Sequence, residues 1–120
     1  MFPCKPDHPF VYWATLSYVG ELIMAGANCY TYDNGFLHAK GLSIDGKACC
    51  YGTANMDIRS FELNFEVNAM IFDQNIAGEM ERIFREDLKC CTRITKEMYK
   101  SRSVWIRFKE QISRLLSPVL

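Results

Sequence analysis

The sequence has no excess of charge of either sign, because 14 Lys and Arg residues balance 14 Asp and Glu residues in a chain of 120. Proteins that bind nucleic acid through its phosphates depend on a basic surface, so we expect no nucleic-acid partner. Long apolar runs are also missing, and none approaches the ~20 residues of a membrane-spanning helix. The opening letters MFPCKPDHP lack the apolar stretch of a secretory signal peptide. The sequence therefore predicts no transmembrane segment.

Histidine is scarce, with His8 and His38 as the only two. Six cysteines are present, but they show neither the CxxC spacing nor the Cys/His grouping of a zinc site. We interpret them as reduced thiols, and we predict no metal and no other cofactor. A hydrophobic fraction of 49% and a charged fraction of 23% are typical of a globular protein.

Hydrophobic periodicity alternates between the helical and the extended pattern along the chain. Helices are expected at 12–25, at 75–89 and from Thr95 to Leu116 with a stop near Pro118, and strands at 28–32, 36–44, 47–51 and 64–72. Pro9 fits the first turn of the first helix and Asp7 its cap. No repeat or linker interrupts this order, which predicts one α/β domain over 1–120, with a mixed β-sheet flanked by helices.

The fourth predicted strand alternates polar and apolar side chains. Asn64, Glu66 and Asn68 share one side, and the opposite, core-facing side is expected to carry Phe65, Val67, Ala69 and Ile71. A carboxylate on the polar side is free of the core and available for chemistry.

The residue types best suited to catalysis are concentrated in the stretch FLHAKGLSIDGKACCYGTANMD, residues 36–57. On a strand His38 and Lys40 share a face, about 7 Å apart, a gap that suits one phosphate group. A neutral imidazole is a good nucleophile towards phosphorus, and an ammonium neutralises charge that develops on a phosphoryl oxygen. Asp45 and Gly46 form a strong hairpin signal.

Further polar groups follow the hairpin. Gly52 lets the backbone approach a ligand closely, and Thr53 and Asn55 offer hydrogen-bond donors. Glu66 can hold the imidazole of His38 in one tautomer. Each feature alone has an ordinary structural explanation, so the prediction of a phosphate site depends on their occurring together at fixed spacing.

The pattern His38-x-Lys40, Asp45 and Gly52-Thr53-x-Asn55 resembles the HKD motif of the phospholipase D superfamily. Thr53 stands where many members carry serine, and it keeps the hydroxyl. The similarity to the C-terminal part of bacterial cardiolipin synthases covers nearly the whole chain. It is carried by the segments KPDHPFVYWAT, GFLHAK, GTANMDIRSFELNFEVN and WIRFKEQISRLLSPVL.

This resemblance implies a phosphatidyltransferase that joins two phosphatidylglycerol molecules into cardiolipin and releases glycerol. His38 would form a phosphohistidine or act as the acid–base counterpart. Lys40 and Asn55 would bind the phosphate with help from Thr53. The resemblance further implies that Asp45 is structural and that Glu66 orients the histidine. No metal is implied.

Only one HKD motif is present, whereas the family brings two together. The chain is therefore similar to a C-terminal half, N-terminally truncated relative to the family, that needs an N-terminal HKD half at the cell membrane. Two alternatives stay open: a single-motif phosphodiesterase or nuclease that pairs with a second copy, and a non-catalytic remnant that binds a partner or a membrane surface.

The C-terminal segment from Val104 to Leu116 has a second amphipathic pattern. Its apolar stripe comprises Trp105, Phe108, Ile112, Leu115 and Leu116, and the residues off that stripe include Arg107, Lys109 and Arg114. The stripe can lie in a membrane interface; packing against the protein's own sheet is the preferred interpretation.

Overall fold

The computed structural model describes residues 1–5 and 8–116. Strands and helices are interspersed along the chain. In order they are β1 (Phe2–Pro3), α1 (Pro9–Met24), β2 (Cys29–Tyr32), β3 (Gly41–Ile44), β4 (Ala48–Gly52), α2 (Ile58–Glu62), β5 (Asn68–Ile71), α3 (Gln74–Leu88), β6 (Cys91–Ile94), α4 (Lys96–Lys100) and α5 (Val104–Leu116). The predicted cap at Asp7 and the predicted stop near Pro118 lie outside the described residues.

The chain divides into two compact units, Met1–Leu37 with Cys91–Leu120, and His38–Cys90. We call them the terminal unit and the central unit. The terminal unit has the sheet β1-β2-β6, in which β1 runs parallel and β6 antiparallel to β2. The central unit has the antiparallel sheet β3-β4-β5. The predicted α/β class, with a mixed sheet and flanking helices, is confirmed.

The terminal unit is built around α1, which begins at Pro9 as its sequence predicts. Its inward side combines small residues with larger apolar ones. Val19 and Ile23 form a buried cluster with Cys29 of β2. Gly20 is required for close packing, since a Cβ there would lie 2.2 Å from the ring of Tyr99. The same helix packs against α4 and α5.

The single helix predicted from Thr95 to Leu116 is wrong, because the segment breaks into α4 and α5. Thr95 caps α4 as expected, its hydroxyl accepting from the amide of Met98 at 3.2 Å. Ser103 then starts a new helix, with its hydroxyl accepting from the amide of Ile106 at 3.3 Å. A serine in this position competes with helix continuation because it satisfies the first amides of the next turn.

The preferred interpretation of the α5 stripe, packing against the protein's own sheet, is also wrong. Trp105, Phe108 and Leu115 are exposed, and α5 instead buries Glu110 and Ser113. The reason is that α5 packs against α1, where small and polar side chains allow close approach.

In the central unit, the predicted strands 36–44 and 64–72 are shorter than expected. Regular pairing begins at Gly41 and at Asn68, because β4 ends at Gly52, which pairs with Asn68. Beyond Gly52 the chain turns into a loop and then into the unpredicted α2, so the outer residues have no partner strand. The predicted core face of the last strand is wrong: Phe65, Val67 and Ala69 are exposed, and Ile71 is only half-buried.

Helix α3 confirms its predicted position almost to the residue. Asp73 caps it by accepting from the amides of Asn75 and Ile76 at 2.8 and 3.0 Å. The short strand β6 that follows was not predicted; its β-branched Thr92 and Ile94 were the available signal.

Candidate active site

The predicted hairpin turn between β3 and β4 is confirmed. Asp45 and Gly46 both have positive φ, 51° and 62°, as a two-residue type I′ turn requires. Asp45 lies at one end of β3 and Lys40 just before the other end, about 16 Å away along the strand. The geometry therefore separates Asp45 from the other motif residues, in keeping with a structural role in the turn.

His38 and Lys40 lie in the irregular segment that leads into β3, and the prediction that they occupy a strand is wrong. His38 is exposed and Lys40 is half-buried. The ammonium of Lys40 donates to the backbone carbonyl of His38 at 3.4 Å. The carbonyl of Lys40 accepts from the amide of Gly52 at 3.3 Å. This backbone contact holds the His-x-Lys segment beside the start of the Gly52–Asn55 loop.

Gly52 is the residue that makes the loop geometry possible. A Cβ added there would lie 2.2 Å from the carbonyl oxygen of Val67 and 2.2 Å from the amide oxygen of Asn68. Only glycine therefore allows the loop to lie this close to the segment that carries Glu66.

Thr53 connects the loop to the segment that carries Glu66 through three hydrogen bonds. Its amide donates to the carbonyl of Val67 at 3.0 Å, and the amide of Val67 donates back to its hydroxyl oxygen at 3.0 Å. The hydroxyl proton is directed to the Oε2 of Glu66 at 2.5 Å. One hydroxyl thus acts as acceptor and donor at once, a role that serine can also perform.

Glu66 is a carboxylate surrounded by donors. Besides Thr53, the side-chain amide of Asn64 donates to its Oε1 at 3.2 Å. The hydrogen bond from Thr53 lowers the pKa of Glu66 most, and Asn64, Ser60 and the charge of Lys40 act in the same direction. Glu66 is therefore ionised at neutral pH, beside the lysine of the motif.

Asn55 is held by a capping arrangement that sequence reasoning missed. Its amide donates to the hydroxyl of Ser60 at 3.1 Å, and the amide of Ser60 donates to Asp57 at 2.7 Å. Asp57 is the N-cap of α2. The available signal was the Asp-x-x-Ser spacing of a capped helix, placed directly after the motif.

The structure thus brings Lys40, Thr53 and Glu66 together, and it fixes the backbone of Asn55 next to them. In this set the ammonium of Lys40 supplies the positive charge that a phosphoryl group requires. Within residues 1–5 and 8–116, no group of three or more His, Cys, Asp or Glu side chains could hold a metal ion. Over the same ranges, no helix has the length and apolarity that crossing a membrane requires.

Comparison with known protein families matches residues 2–88 to the model described as "Cardiolipin synthase, PLD-like domain". The chain belongs to this family. The match includes the His-x-Lys segment, the loop after β4 and Glu66, so the predicted membership in the phospholipase D superfamily is confirmed.

Curated relatives match the PLD-like chain along its whole length. It is 57% identical over 120 residues to "Cardiolipin synthase" of Oceanobacillus iheyensis and 58% identical over 120 residues to "Major cardiolipin synthase ClsA" of Bacillus subtilis. Each match covers 100% of this chain and 25% of the relative. The chain therefore spans about a quarter of the length of the curated relatives it matches. No solved structure matches.

Proposed function

We propose that this chain supplies one HKD half of a phosphatidyltransferase that makes cardiolipin from two phosphatidylglycerol molecules and releases glycerol. The observation that carries the proposal is the contact of Thr53 with Glu66 beside the charge of Lys40. It joins the motif loop to the carboxylate within a chain that is more than half identical to proteins named cardiolipin synthase.

The first step is attack by an imidazole nitrogen on the phosphorus of phosphatidylglycerol. The new N–P bond forms as the bond from phosphorus to the headgroup glycerol oxygen breaks, and a second histidine protonates the departing glycerol. In the second step the glycerol hydroxyl of another phosphatidylglycerol attacks the phosphohistidine, the N–P bond breaks, the second histidine takes the hydroxyl proton, and cardiolipin is released. Charge on the phosphoryl oxygens is neutralised by Lys40 and by a donor from the side chain of Asn55, while Thr53 supports the site through its hydrogen bond to Glu66.

His38 is one of the two histidines in this scheme, as nucleophile or as general acid. We propose that the ionised Glu66 orients its imidazole, as a carboxylate does in other histidine-dependent sites. Asp45 keeps its proposed structural role in the turn. The reaction needs no metal, because Lys40 already supplies positive charge at the phosphate.

The second histidine must come from another polypeptide segment. His8 is the only other histidine of the chain, and the residue two positions after it is Phe10 rather than a lysine. We therefore propose that the partner is an N-terminal HKD half; a second copy of this chain is the alternative. Since both substrates are membrane lipids, we place the activity at the cell membrane, with residues 1–120 as one PLD-like domain.

The test is a chimera in which this chain replaces the matching quarter of the Bacillus subtilis enzyme, assayed with phosphatidylglycerol vesicles. We expect cardiolipin formation by the chimera and its loss on His38→Ala. His8→Ala is the matched control and should retain activity. Transfer by His38→Ala near the unsubstituted rate would contradict the role of His38. An inactive chimera that is folded would contradict the proposed function itself.

A further inference from the structure

Helix α5 presents its apolar stripe outwards and turns Glu110 and Ser113 inwards. Trp105 is 73% exposed, Phe108 56% and Leu115 81%, whereas Glu110 is 1% exposed and Ser113 is fully buried. A helix that packs on a protein core normally does the reverse. The apolar face of α5 is thus exposed along the whole length of the helix.

Buried polar contacts hold α5 in this rotation. Glu110 forms an ion pair with Arg102, whose guanidinium also donates to the carbonyl of Tyr99 at 2.6 Å. The guanidinium carbon of Arg102 lies 3.3 Å from the centre of the Tyr99 ring. On the far side of the helix, Arg114 forms an ion pair with Glu21 of α1. Turning the stripe inwards would separate Arg102 from Glu110. Breaking a buried ion pair is strongly destabilising because it leaves an uncompensated charge.

The charges around the stripe have one sign. Arg107 and Lys109 flank it, whereas Arg114 is paired with Glu21 on the far side of the helix, and the only acidic residue of α5 is Glu110, which is buried and paired. The nitrogen of Lys109 lies 5.0 Å from the ring centre of Trp13, which keeps this cation near the stripe. An apolar face with an aromatic residue and bordering cations is the pattern of a helix that lies in an anionic membrane interface.

A polar hollow of about 320 Å³ adjoins one border of the stripe. Its lining is Tyr99, Lys100, Arg102, Arg107, Glu110 and Gln111. Arg102 is engaged by Glu110, but Lys100 and Arg107 add two cations to the lining. Arg107 and Gln111 are one helical turn apart, next to the exposed Phe108. A phosphate held there would have its acyl chains beside the apolar side chains.

We propose that α5 is an interfacial anchor that lies in an anionic phospholipid bilayer. Trp105, Phe108 and Leu115 enter the acyl region, and Lys100 and Arg107 hold a lipid phosphate in the hollow. A bilayer fits the stripe better than a second copy does, because a copy would set cations against cations across a twofold axis. With 13 residues, α5 is about 20 Å long, which suits lying in the interface. This anchor does not depend on the chemistry of His38.

The first experiment measures sedimentation of the purified 120-residue chain with phosphatidylcholine vesicles, with and without phosphatidylglycerol. We expect binding that requires phosphatidylglycerol and weakens with salt. The combined change Trp105→Gln, Phe108→Gln and Leu115→Gln should lower the affinity at least about tenfold, because three apolar side chains no longer enter the bilayer. All three side chains are exposed, so circular dichroism should show an unchanged fold.

The matched control removes equally exposed aromatic residues from the central unit, with Phe61→Gln, Phe65→Gln and Phe72→Gln. It should bind phosphatidylglycerol vesicles as the unsubstituted chain does. An equal loss in both triple variants would overturn the anchor, as would absence of binding by the unsubstituted chain. A dimer that the α5 variant turns into a monomer, without vesicle binding, would identify the face as a self-association surface instead and would also overturn it.

A second pair of variants tests the headgroup site. Lys100→Gln with Arg107→Gln should weaken binding to phosphatidylglycerol vesicles about tenfold, because each cation near an anionic surface contributes separately. Lys47→Gln with Arg85→Gln removes the same charge from the central unit and should have little effect. Equal losses would show general charge attraction only, and would overturn the headgroup site.

Insertion depth supplies the last measurement. In a Trp13→Phe background, Trp105 is the only tryptophan, and brominated acyl chains should quench its fluorescence on binding. Binding without quenching would show that the stripe stays outside the acyl region, against the proposed orientation.

Discussion

Glu66 in the central unit and Glu110 in the terminal unit are carboxylates whose pKa values are shifted in opposite directions, and their environments differ in almost every respect. Glu66 accepts from uncharged donors, Thr53 and Asn64, at the surface. Glu110 is buried and paired with an arginine. The hydrogen bond from Thr53 is the main cause that lowers the pKa of Glu66. Burial raises the pKa of Glu110, and the charge of Arg102 opposes this only in part.

This difference teaches that neither the number of hydrogen-bond donors nor a nearby cation alone decides the pKa of a carboxylate. Desolvation raises the pKa and competes with both. At the surface, the hydrogen bonds to Glu66 and the nearby charge of Lys40 outweigh its small loss of hydration, so its pKa is lowered. In the packed interface of α1 and α5, even an arginine does not fully compensate for lost hydration. The first environment suits proton and phosphoryl chemistry, and the second fixes the rotation of a helix.

The largest effect is expected when Glu66 is changed to Gln in the chimeric enzyme. If the carboxylate orients His38, the transfer rate should fall by about 10⁴-fold, the effect of amidating such a group elsewhere. Thermal unfolding should change little, because Glu66 lies outside the packed core. An intact rate together with a collapsed fold would show that Glu66 is a structural partner, like Glu110.

Breaking the ion pair of Arg102 and Glu110 in the terminal unit should lower the free energy of unfolding and leave the transfer rate unchanged. Arg102→Met leaves Glu110 buried without its cation, and we expect a loss of about 3 kcal/mol in the free energy of unfolding, measured by urea denaturation. The control is Arg82→Met, which breaks the exposed pair with Glu79 and should have little effect. Similar losses in both variants would refute the contrast between the two environments.

The loop that brings Thr53 to Glu66 can be tested through Gly52→Ala. Because the added Cβ would lie 2.2 Å from two oxygens, we expect the free energy of unfolding to drop by about 2 kcal/mol. The transfer rate of the chimera should fall as well. Gly78→Ala in α3 is the matched control, since nothing lies within 4 Å of the new Cβ and alanine favours a helix. A harmless Gly52→Ala would contradict the close approach of the loop.

The smallest effect concerns pH. Because the folded-state pKa of Glu110 is raised from 4.5, the folded state binds this proton more readily than the unfolded state. Its contribution to stability should therefore fall as pH rises from about 4.5 through the folded-state pKa. Glu66 has a lowered pKa, so its contribution is lost as pH falls through the folded-state value.

Thermal unfolding from about pH 2 to about pH 7 can separate these opposite slopes. Glu110→Gln should remove the loss of stability on raising pH, and Glu66→Gln should remove the loss on lowering it. If Glu110→Gln left the pH profile unchanged, the raised pKa of Glu110 would be refuted.

The sequence by itself determined the features that depend on near neighbours in the chain. The chemistry proposed for His38, Lys40 and Asn55 rests on residue type and spacing, and the Asp45–Gly46 turn and helix α3 follow from local backbone preference and capping. Family membership was also readable, since the motif lies within a contiguous stretch. Thr53 and Glu66 were both named from sequence, although the hydrogen bond between them was not.

Only the tertiary structure decided where pairing stops and which face of an element is covered. Strands β3 and β5 are short because their common partner β4 ends at Gly52, a fact that neither strand's own alternation contains. The exposure of Phe65 and the rotation of α5 depend on contacts between segments far apart in the chain. Periodicity shows that a helix has two faces, but the buried pair of Arg102 and Glu110 decided which side of α5 is covered.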